Sequence, residues 1–184
     1  VDVVELLDEA ESALPLVSED AEDNPGLQLG AVLAGTKPLR DYIGIVADGT
    51  HIVGFADWAE QLIAESTGKQ GPGVLPVVLD VDAPELGEDL ADLQVVRVVG
   101  SRSDTRDVAP GEVEVAGTLG AQLLVWEFAT AVAGLLLGID PFDQPDVESA
   151  KSAARGLLED LAPPAPADVV DGTIELRGSV SGDT

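Results

Sequence analysis

The sequence contains no cysteine and no methionine, few aromatic residues and few basic residues. Without cysteine the chain has neither a disulfide framework nor a thiolate nucleophile, which is typical of a cytoplasmic protein. Aromatic residues make up 3% of the 184 residues and hydrophobic residues 45%, so we expect a core of Val, Leu, Ile and Ala. For this length one globular domain is the expectation.

Basic residues are outnumbered by acidic residues, 9 against 35, which gives a formal net charge of −26. A field of this sign repels nucleic acid and anionic membranes, so neither is an expected partner. Two interpretations of the charge stay open: adaptation to high internal salt, or an acidic surface that keeps the protein soluble. The chain begins at Val1 without an initiator methionine or a secretory signal, so we expect it to be part of a longer protein.

Hydrophobic patterning predicts strands that alternate with helices. The predicted strands are Tyr42–Ala47, Val74–Leu79, Val95–Val99 and an edge strand, Thr173–Leu176. The predicted helices are Val1–Leu14, Gly26–Gly35, a segment from an Asp57 N-cap to about Thr67, Thr118–Leu137 and Val147–Leu158. Ala162–Ala167, with three prolines, reads as a linker. The alternation indicates an α/β fold with a mostly parallel sheet.

The segment Thr118–Leu137 is nearly apolar all round, which is typical of a membrane span or of a buried helix. Gln122, Glu127 and Thr130 interrupt it, and no basic residue flanks it. These features favour a buried central helix. Within such a helix we expect Glu127 to be a buried, hydrogen-bonded carboxylate.

Gln61 and Glu65 belong to the most informative stretch of the chain, which runs to Lys69 as Gln-Leu-Ile-Ala-Glu-Ser-Thr-Gly-Lys. Their spacing places both side chains on one face of a helix. A carboxylate in a fixed orientation can remove a proton next to a sugar carbonyl, and a neighbouring amide can bind hydroxyl groups without competing for that proton. The same spacing is also common on a solvated polar face, so spacing alone leaves both interpretations open.

A second polar segment runs from Phe142 to Lys151. Gln144 and Lys151 lie two helical turns apart and therefore share a face. Pro145 suits the first turn of a helix, where its missing N–H costs nothing. Lys151 also has a purely structural interpretation, a surface ion pair with Glu148.

Together, in this order, the two segments resemble the second sugar-phosphate-binding (SIS) domain of the glucose-6-phosphate isomerase family. The family's first signature is Gln-x-x-x-Glu-Ser-Asn-Gly-Lys, and the chain has Thr67 in place of the asparagine. The second is Phe-Asp-Gln-x-Gly-Val-Glu-x-x-Lys, and the chain has Asp146 in place of the glycine. Asp146 and the run Trp126–Gly134 resemble the actinobacterial branch, which includes transaldolase–isomerase fusions.

The resemblance implies a three-layer, doubly wound α/β sandwich and a cofactor-free interconversion of glucose 6-phosphate and fructose 6-phosphate. It implies that Glu65 carries the proton between C1 and C2 through an enediol, and that Gln61 contacts the sugar. It further implies that Gln144 contacts the substrate. Lys151 would assist ring opening, because its cation polarises the ring oxygen.

The resemblance also predicts an incomplete site. It assigns residues 27–160 to the SIS domain, 1–26 to an N-terminal helix and acidic loop, and 161–184 to a Pro-rich linker and tail. Family enzymes bind the sugar phosphate between two SIS domains, and the first brings a phosphate loop and an arginine that this sequence lacks. A ring-opening histidine also comes from elsewhere. We therefore expect that first domain as a partner, keep a homodimer open, and expect the isolated chain to be inactive or weak.

Two other functional classes stay open. One is a non-catalytic SIS module that binds or senses a sugar phosphate, and the other is a degenerate interaction domain. The remaining polar candidates favour neither class. His51 is the single histidine and is expected to be an exposed spectator, and no metal site is expected. An acidic loop with solvated side chains is expected at Asp80, Asp82, Glu85, Glu88 and Asp89.

Overall fold

The structure of the protein, a computed structural model, describes residues 2–69, 71, 73–101, 108, 111–143, 145–159 and 166–178. Its helices are α1 (Val3–Ser18), α2 (Pro25–Ala34), α3 (Phe55–Thr67), α4 (Leu119–Leu137) and α5 (Pro145–Glu159). Its strands are β1 (Tyr42–Asp48), β2 (Leu75–Leu79), β3 (Leu93–Val99), β4 (Glu112–Ala116), β5 (Val169–Asp171) and β6 (Ile174–Leu176). The chain divides into two compact units, Val1–Gln144 and Pro145–Thr184.

The first unit is built on a parallel sheet with the strand order β2–β1–β3–β4. In its register, Gly44 of β1 lies between Val77 of β2 and Val95 of β3. Every residue of β3 is buried, as expected for a strand in the middle of a parallel sheet. The three strands predicted for this region are confirmed as β1, β2 and β3, and β4 is a further strand that the apolar pattern does not predict.

Helices α2, α3 and α4 cover one face of the sheet. The strand residues that join this core are Ile43, Ile45, Val96 and Val98. Trp126 of α4 is fully buried, and its ring meets the ring of Phe55 edge-on at a centroid distance of 5.8 Å. Among the described residues α4 is long and apolar enough to cross a membrane, but its central residues pack inside this core. The predicted helix is therefore confirmed and packs in the core, but it buries one side and leaves the other exposed.

Two glycines allow α2 to pack closely against α4. A Cβ atom at Gly26 would lie 2.4 Å from the Phe128 ring, and one at Gly30 would lie 2.5 Å from Val132 Cγ1. Both distances are far shorter than van der Waals contact, so any larger residue would force the two helices apart. The small-residue composition of α2 is thus a packing requirement.

Helix α1 packs against α4 through a buried stripe that includes Ala13 and Val17. The backbone N–H of Gly120 donates a hydrogen bond of 2.8 Å to Glu9 Oε2. This carboxylate of α1 therefore occupies the positive end of the α4 dipole. The helix predicted at Val1–Leu14 is confirmed, and its observed bounds are Val3–Ser18.

A thinner layer covers the second face of the sheet. The sheet residues on this side are Val46, Leu79, Leu93 and Val95, and the residues that close over them are Ala83, Leu86 and Leu90. The covering residues come from the connection between β2 and β3, which contains one 3₁₀ turn, Pro84–Gly87. The sheet therefore lies between two covering layers, and the predicted three-layer α/β sandwich with a parallel sheet is confirmed.

The same face of the sheet carries a buried polar cluster. Arg97 of β3 donates two parallel hydrogen bonds to Glu112 of β4, with Nη2–Oε1 and Nε–Oε2 distances of 2.9 and 3.1 Å. Its Nη1 lies 3.3 Å from Oδ2 of Asp48, at the end of β1. Hydrogen bonding to Glu112 raises the pKa of Arg97 above its ordinary value, although burial acts in the opposite direction. The charged guanidinium thus links three strands.

Two expectations about acidic residues are wrong. Asp57 is not the N-cap of α3, because the helix already begins at Phe55 after Gly54, whose φ of +76° turns the chain into the helix. Phe55 belongs to the core, so burial of its ring fixes the earlier start. Glu127 is exposed rather than buried, because α4 is apolar all round but buries one side. Leu135 lies in the same helix and is 78% exposed.

The second unit contains α5 and an antiparallel hairpin of β5 and β6. Gly172, with a φ of +60°, lies in the turn of this hairpin. The helix predicted at Val147–Leu158 and the strand predicted at Thr173–Leu176 are confirmed. Most of the predicted linker lies outside the described residues.

Candidate active site

Helix α3 presents Gln61 and Glu65 on its outer face. Its opposite face carries Ala59 and Ile63 into the core, and this burial fixes the rotation of the helix about its axis. Gln61 Nε2 donates a hydrogen bond of 2.9 Å to Glu65 Oε1. The structure therefore brings together the amide and the carboxylate that the spacing predicts to share a face.

This hydrogen bond orients the carboxylate of Glu65. The Gln61 amide has one carbonyl oxygen and two N–H donors, and one donor is used here. The carboxylate keeps further lone pairs for a proton that a substrate presents above the helix. The pair can therefore act as a proton acceptor beside a group that binds hydroxyls, provided that other residues hold a sugar over this face.

Glu60, the neighbour of Gln61, has a different role. Its Oε2 accepts a hydrogen bond of 2.9 Å from the backbone N–H of Val78 on β2. β2 lies at the edge of the sheet, so this carboxylate satisfies a backbone donor that no further strand pairs. Glu60 is thus a structural carboxylate on the helix that carries the candidate base.

Thr67, where the family signature has asparagine, is fully buried at the end of α3. Its hydroxyl donates a hydrogen bond of 2.8 Å to the carbonyl oxygen of Ile63, and the backbone N–H of Val74 lies 3.4 Å from the same hydroxyl. Thr67 therefore fastens the end of the helix to the start of the next strand. In this chain the position is structural.

Lys69 connects the two signature segments. Its Nζ donates a hydrogen bond to the backbone oxygen of Asp143 and lies 3.2 Å from Asp143 Oδ1. A weaker contact of 3.5 Å joins the same Nζ to the backbone oxygen of Glu65. Lys69 has no role among the residues predicted from the sequence, although one signal was present: it is one of three lysines in a strongly acidic chain.

The other two predicted site residues, Gln144 and Lys151, belong to the second polar segment. Gln144 lies outside the described residues, and Lys151 is an exposed residue of α5 in the second unit. The side chain of Glu148, its predicted ion-pair partner, also lies outside the described residues. The roles of Gln144 and Lys151 therefore stay predictions.

The other polar candidates from the sequence, His51 and the acidic loop, lie outside helix α3. His51 is exposed in the loop after β1, as predicted. In the predicted acidic loop Asp80, Asp82, Glu88 and Asp89 are exposed, and Glu85 is half-buried within the 3₁₀ turn. In the part of the chain that the structure describes, no three His, Cys, Asp or Glu side chains are grouped to hold a metal ion.

Comparison with known proteins supports a relationship at the family level. The chain is 26% identical to a glucose-6-phosphate isomerase of Leptospira biflexa and 28% identical to one of Mycoplasmopsis pulmonis. Each match covers 56% of this chain, with 34% and 36% of the relative. A shorter match of 66 residues is 41% identical to a glucose-6-phosphate isomerase of Bordetella avium and covers 36% of this chain and 12% of that protein. The chain is thus related to glucose-6-phosphate isomerases.

These matches cover only part of each relative. The chain spans about a third of the length of the curated relatives that it matches. No protein-family model matches the chain. Among solved structures, a hypothetical protein from Thermus thermophilus superposes with a TM-score of 0.69 over 87% of this chain and 51% of that one, at 18% identity. This likeness shows the fold, which is the SIS-like α/β sandwich that the signatures predict.

Proposed function

We propose that residues 27–160 form the second SIS domain of a cytoplasmic glucose-6-phosphate isomerase and supply the base of the reaction. The observation that carries this proposal is the hydrogen bond from Gln61 to Glu65, which orients a carboxylate on the outer face of α3. The similarity to proteins named glucose-6-phosphate isomerase supports the reaction class. The superposition supports the type of domain.

In the proposed reaction, Glu65 removes the proton from C2 of open-chain glucose 6-phosphate. The electron pair of that C–H bond forms the C1–C2 double bond, and O1 takes up a proton to give the enediol. O2 then releases its proton, and Glu65 returns its proton to C1, which gives the ketone of fructose 6-phosphate. The atoms balance without a cofactor, and Gln61 holds the carboxylate and a sugar hydroxyl throughout.

Two residues of the second segment complete this domain's share of the site in the proposal. Gln144 binds a substrate hydroxyl, and Lys151 polarises the ring oxygen while the sugar opens. The sequence resemblance supports both roles, since each residue matches its position in the family signature. Asp146, which replaces the glycine of that signature, adds a negative charge close to Lys151 in sequence.

The proposed partner of this domain is the first SIS domain of the same protein. The net charge of −26 opposes the approach of a sugar phosphate unless cations or helix N-termini compensate locally. The family resemblance assigns the phosphate loop to that first domain. Electrostatic groups that stabilise a transition state are usually worth several kcal/mol, about 3 for a single donor. The isolated chain is therefore expected to turn over sugar phosphate weakly, alone or as a homodimer.

A coupled assay from fructose 6-phosphate to glucose 6-phosphate tests the proposal. The purified chain is assayed in low and high salt, beside Glu65→Gln and the matched variant Glu60→Gln. Both substitutions remove one carboxylate from α3, but the Glu60 amide can still accept the hydrogen bond from Val78. We expect weak turnover that disappears in Glu65→Gln and persists in Glu60→Gln.

The other outcomes are informative as well. Turnover at the level of a complete isomerase, lost in Glu65→Gln, would show that the domain needs no partner. Binding of fructose 6-phosphate with no Glu65-dependent turnover would indicate the non-catalytic SIS module. No turnover in a folded chain would support a half-site that needs the first SIS domain. If substitution of Glu65 and of Lys151 changed no measurable property, the degenerate interaction domain would be favoured.

A further inference from the structure

The side chain of Lys69 is largely buried and makes several polar contacts. It is the second residue after α3, and its side chain is 9% exposed. A lysine ammonium that leaves water needs hydrogen-bond acceptors to offset the lost hydration. The acceptors named above supply them: the backbone oxygen and carboxylate of Asp143, and the backbone oxygen of Glu65.

These acceptors lie on two elements that are distant in sequence. Glu65 belongs to the last turn of α3, where backbone oxygens form the negative end of the helix and attract a cation. Asp143 belongs to the loop after α4 and is 74 residues from Lys69. The three donors of one ammonium group therefore join the helix of the candidate base to the residue directly before Gln144.

Among the residues that the structure describes, the other hydrogen bonds of the loop that receives Lys69 are short-range. After α4 ends, the backbone N–H of Ile139 bonds to the oxygen of Gly134 at 3.0 Å. The backbone N–H of Phe142 bonds to Asp140 Oδ1 at 2.9 Å. Phe142 itself is 84% exposed, so its side chain adds little anchoring. Lys69 thus supplies a long-range contact in a loop held mainly by its own neighbours.

We propose that Lys69 is a positioning residue that fixes the start of the second signature segment, at Asp143, against the end of the first. This inference rests on the proposed function for its catalytic consequence. The link itself depends on the contacts of Lys69 alone. Glu65 is the base, and Lys69 touches neither the reacting atoms nor the sugar; it sets where the chain enters the segment that carries Gln144.

Amide hydrogen exchange on the full chain tests the link directly. Lys69→Met keeps a long apolar stem and removes the ammonium, so the hydrogen-bonded amides of Ile139 and Phe142 should exchange at least about tenfold faster. Lys37→Met removes the same charge from an exposed lysine and should leave these amides unchanged. Amides of β1 and β3 serve as the internal reference in both variants. Equal exchange in Lys69→Met and the unmodified chain would overturn the proposal.

A kinetic comparison tests the consequence for the site. Loss of the link should raise KM for fructose 6-phosphate by about tenfold with a smaller change in kcat, because the base is intact while a substrate contact is displaced. Lys69→Arg keeps the charge and should restore most of the affinity. An unchanged KM in an active Lys69→Met variant would overturn the positioning role. If the unmodified chain shows no turnover, which the missing first SIS domain explains, hydrogen exchange alone decides whether Lys69 holds the loop.

Discussion

Replacing Arg97 by methionine tests the account of the buried polar cluster. The side chains of Arg97 and Glu112 are 9% and 12% exposed, and two parallel hydrogen bonds join them. The side chain of Asp48 is 33% exposed and accepts a single bond of 3.3 Å. Methionine fills much of the space of the arginine stem but leaves Glu112 without its bidentate partner.

The expected loss of stability follows from these exposures. Removing one partner of a fully buried ion pair costs about 3–5 kcal/mol. Because the side chain of Asp48 is partly solvated, we expect about 2–3 kcal/mol for Arg97→Met. Asp48→Asn should cost less, about 0.5–1 kcal/mol, since the amide can still accept a hydrogen bond from the guanidinium.

The assay is urea unfolding followed by circular dichroism. Arg155→Met, at an exposed position of α5, is the control and should change the free energy of unfolding by less than about 0.5 kcal/mol. A loss below about 1 kcal/mol, or equal losses for Arg97→Met and Asp48→Asn, would refute the reasoning.

Two further predictions concern helix packing and charge. Gly30→Ala places a methyl group 2.5 Å from Val132 Cγ1 and should destabilise the protein by about 1–3 kcal/mol in urea unfolding. Gly156→Ala, in the open space around α5, should stabilise its helix by about 0.5–1 kcal/mol, and equal effects at both glycines would contradict the close packing of α2 and α4. Raising sodium chloride to about 1 M shortens the Debye length to about 3 Å, so the net charge of −26 should make Tm rise by at least about 5 °C. A Tm independent of salt would contradict mutual repulsion of the acidic surface.

The parts of the fold that follow from local pattern were predictable from the sequence. The runs at Val74–Leu79 and Val95–Val99 are apolar because parallel strands are buried on both faces. β4 has no such apolar run, and its first residue, Glu112, is held by a partner on another strand, Arg97 of β3. The start of α3 was also misplaced, because an Asp57 cap is a local signal, whereas burial of Phe55 is a tertiary one.

In the candidate site, too, the contact between residues close in sequence was predictable, and the contacts between distant residues were not. The pairing of Gln61 with Glu65 follows from a spacing of four on a helix, and the structure confirms it. The contact between Lys69 and Asp143 could not be predicted, since it requires that the end of α3 and the loop after α4 meet in space. The burial of Thr67 likewise depends on the return of the chain at Val74.

Deuterium incorporation into the sugar shows whether Glu65 carries the proton between C1 and C2. Glucose 6-phosphate is incubated with the chain in D₂O, and the C1 and C2 positions of the recovered sugars are followed by NMR. Glu65 is exposed, so a proton that it carries should exchange with solvent before it returns to carbon. The account predicts slow incorporation that is lost in Glu65→Gln and retained in Glu60→Gln. Incorporation no faster than in buffer, or unchanged in Glu65→Gln, would contradict it.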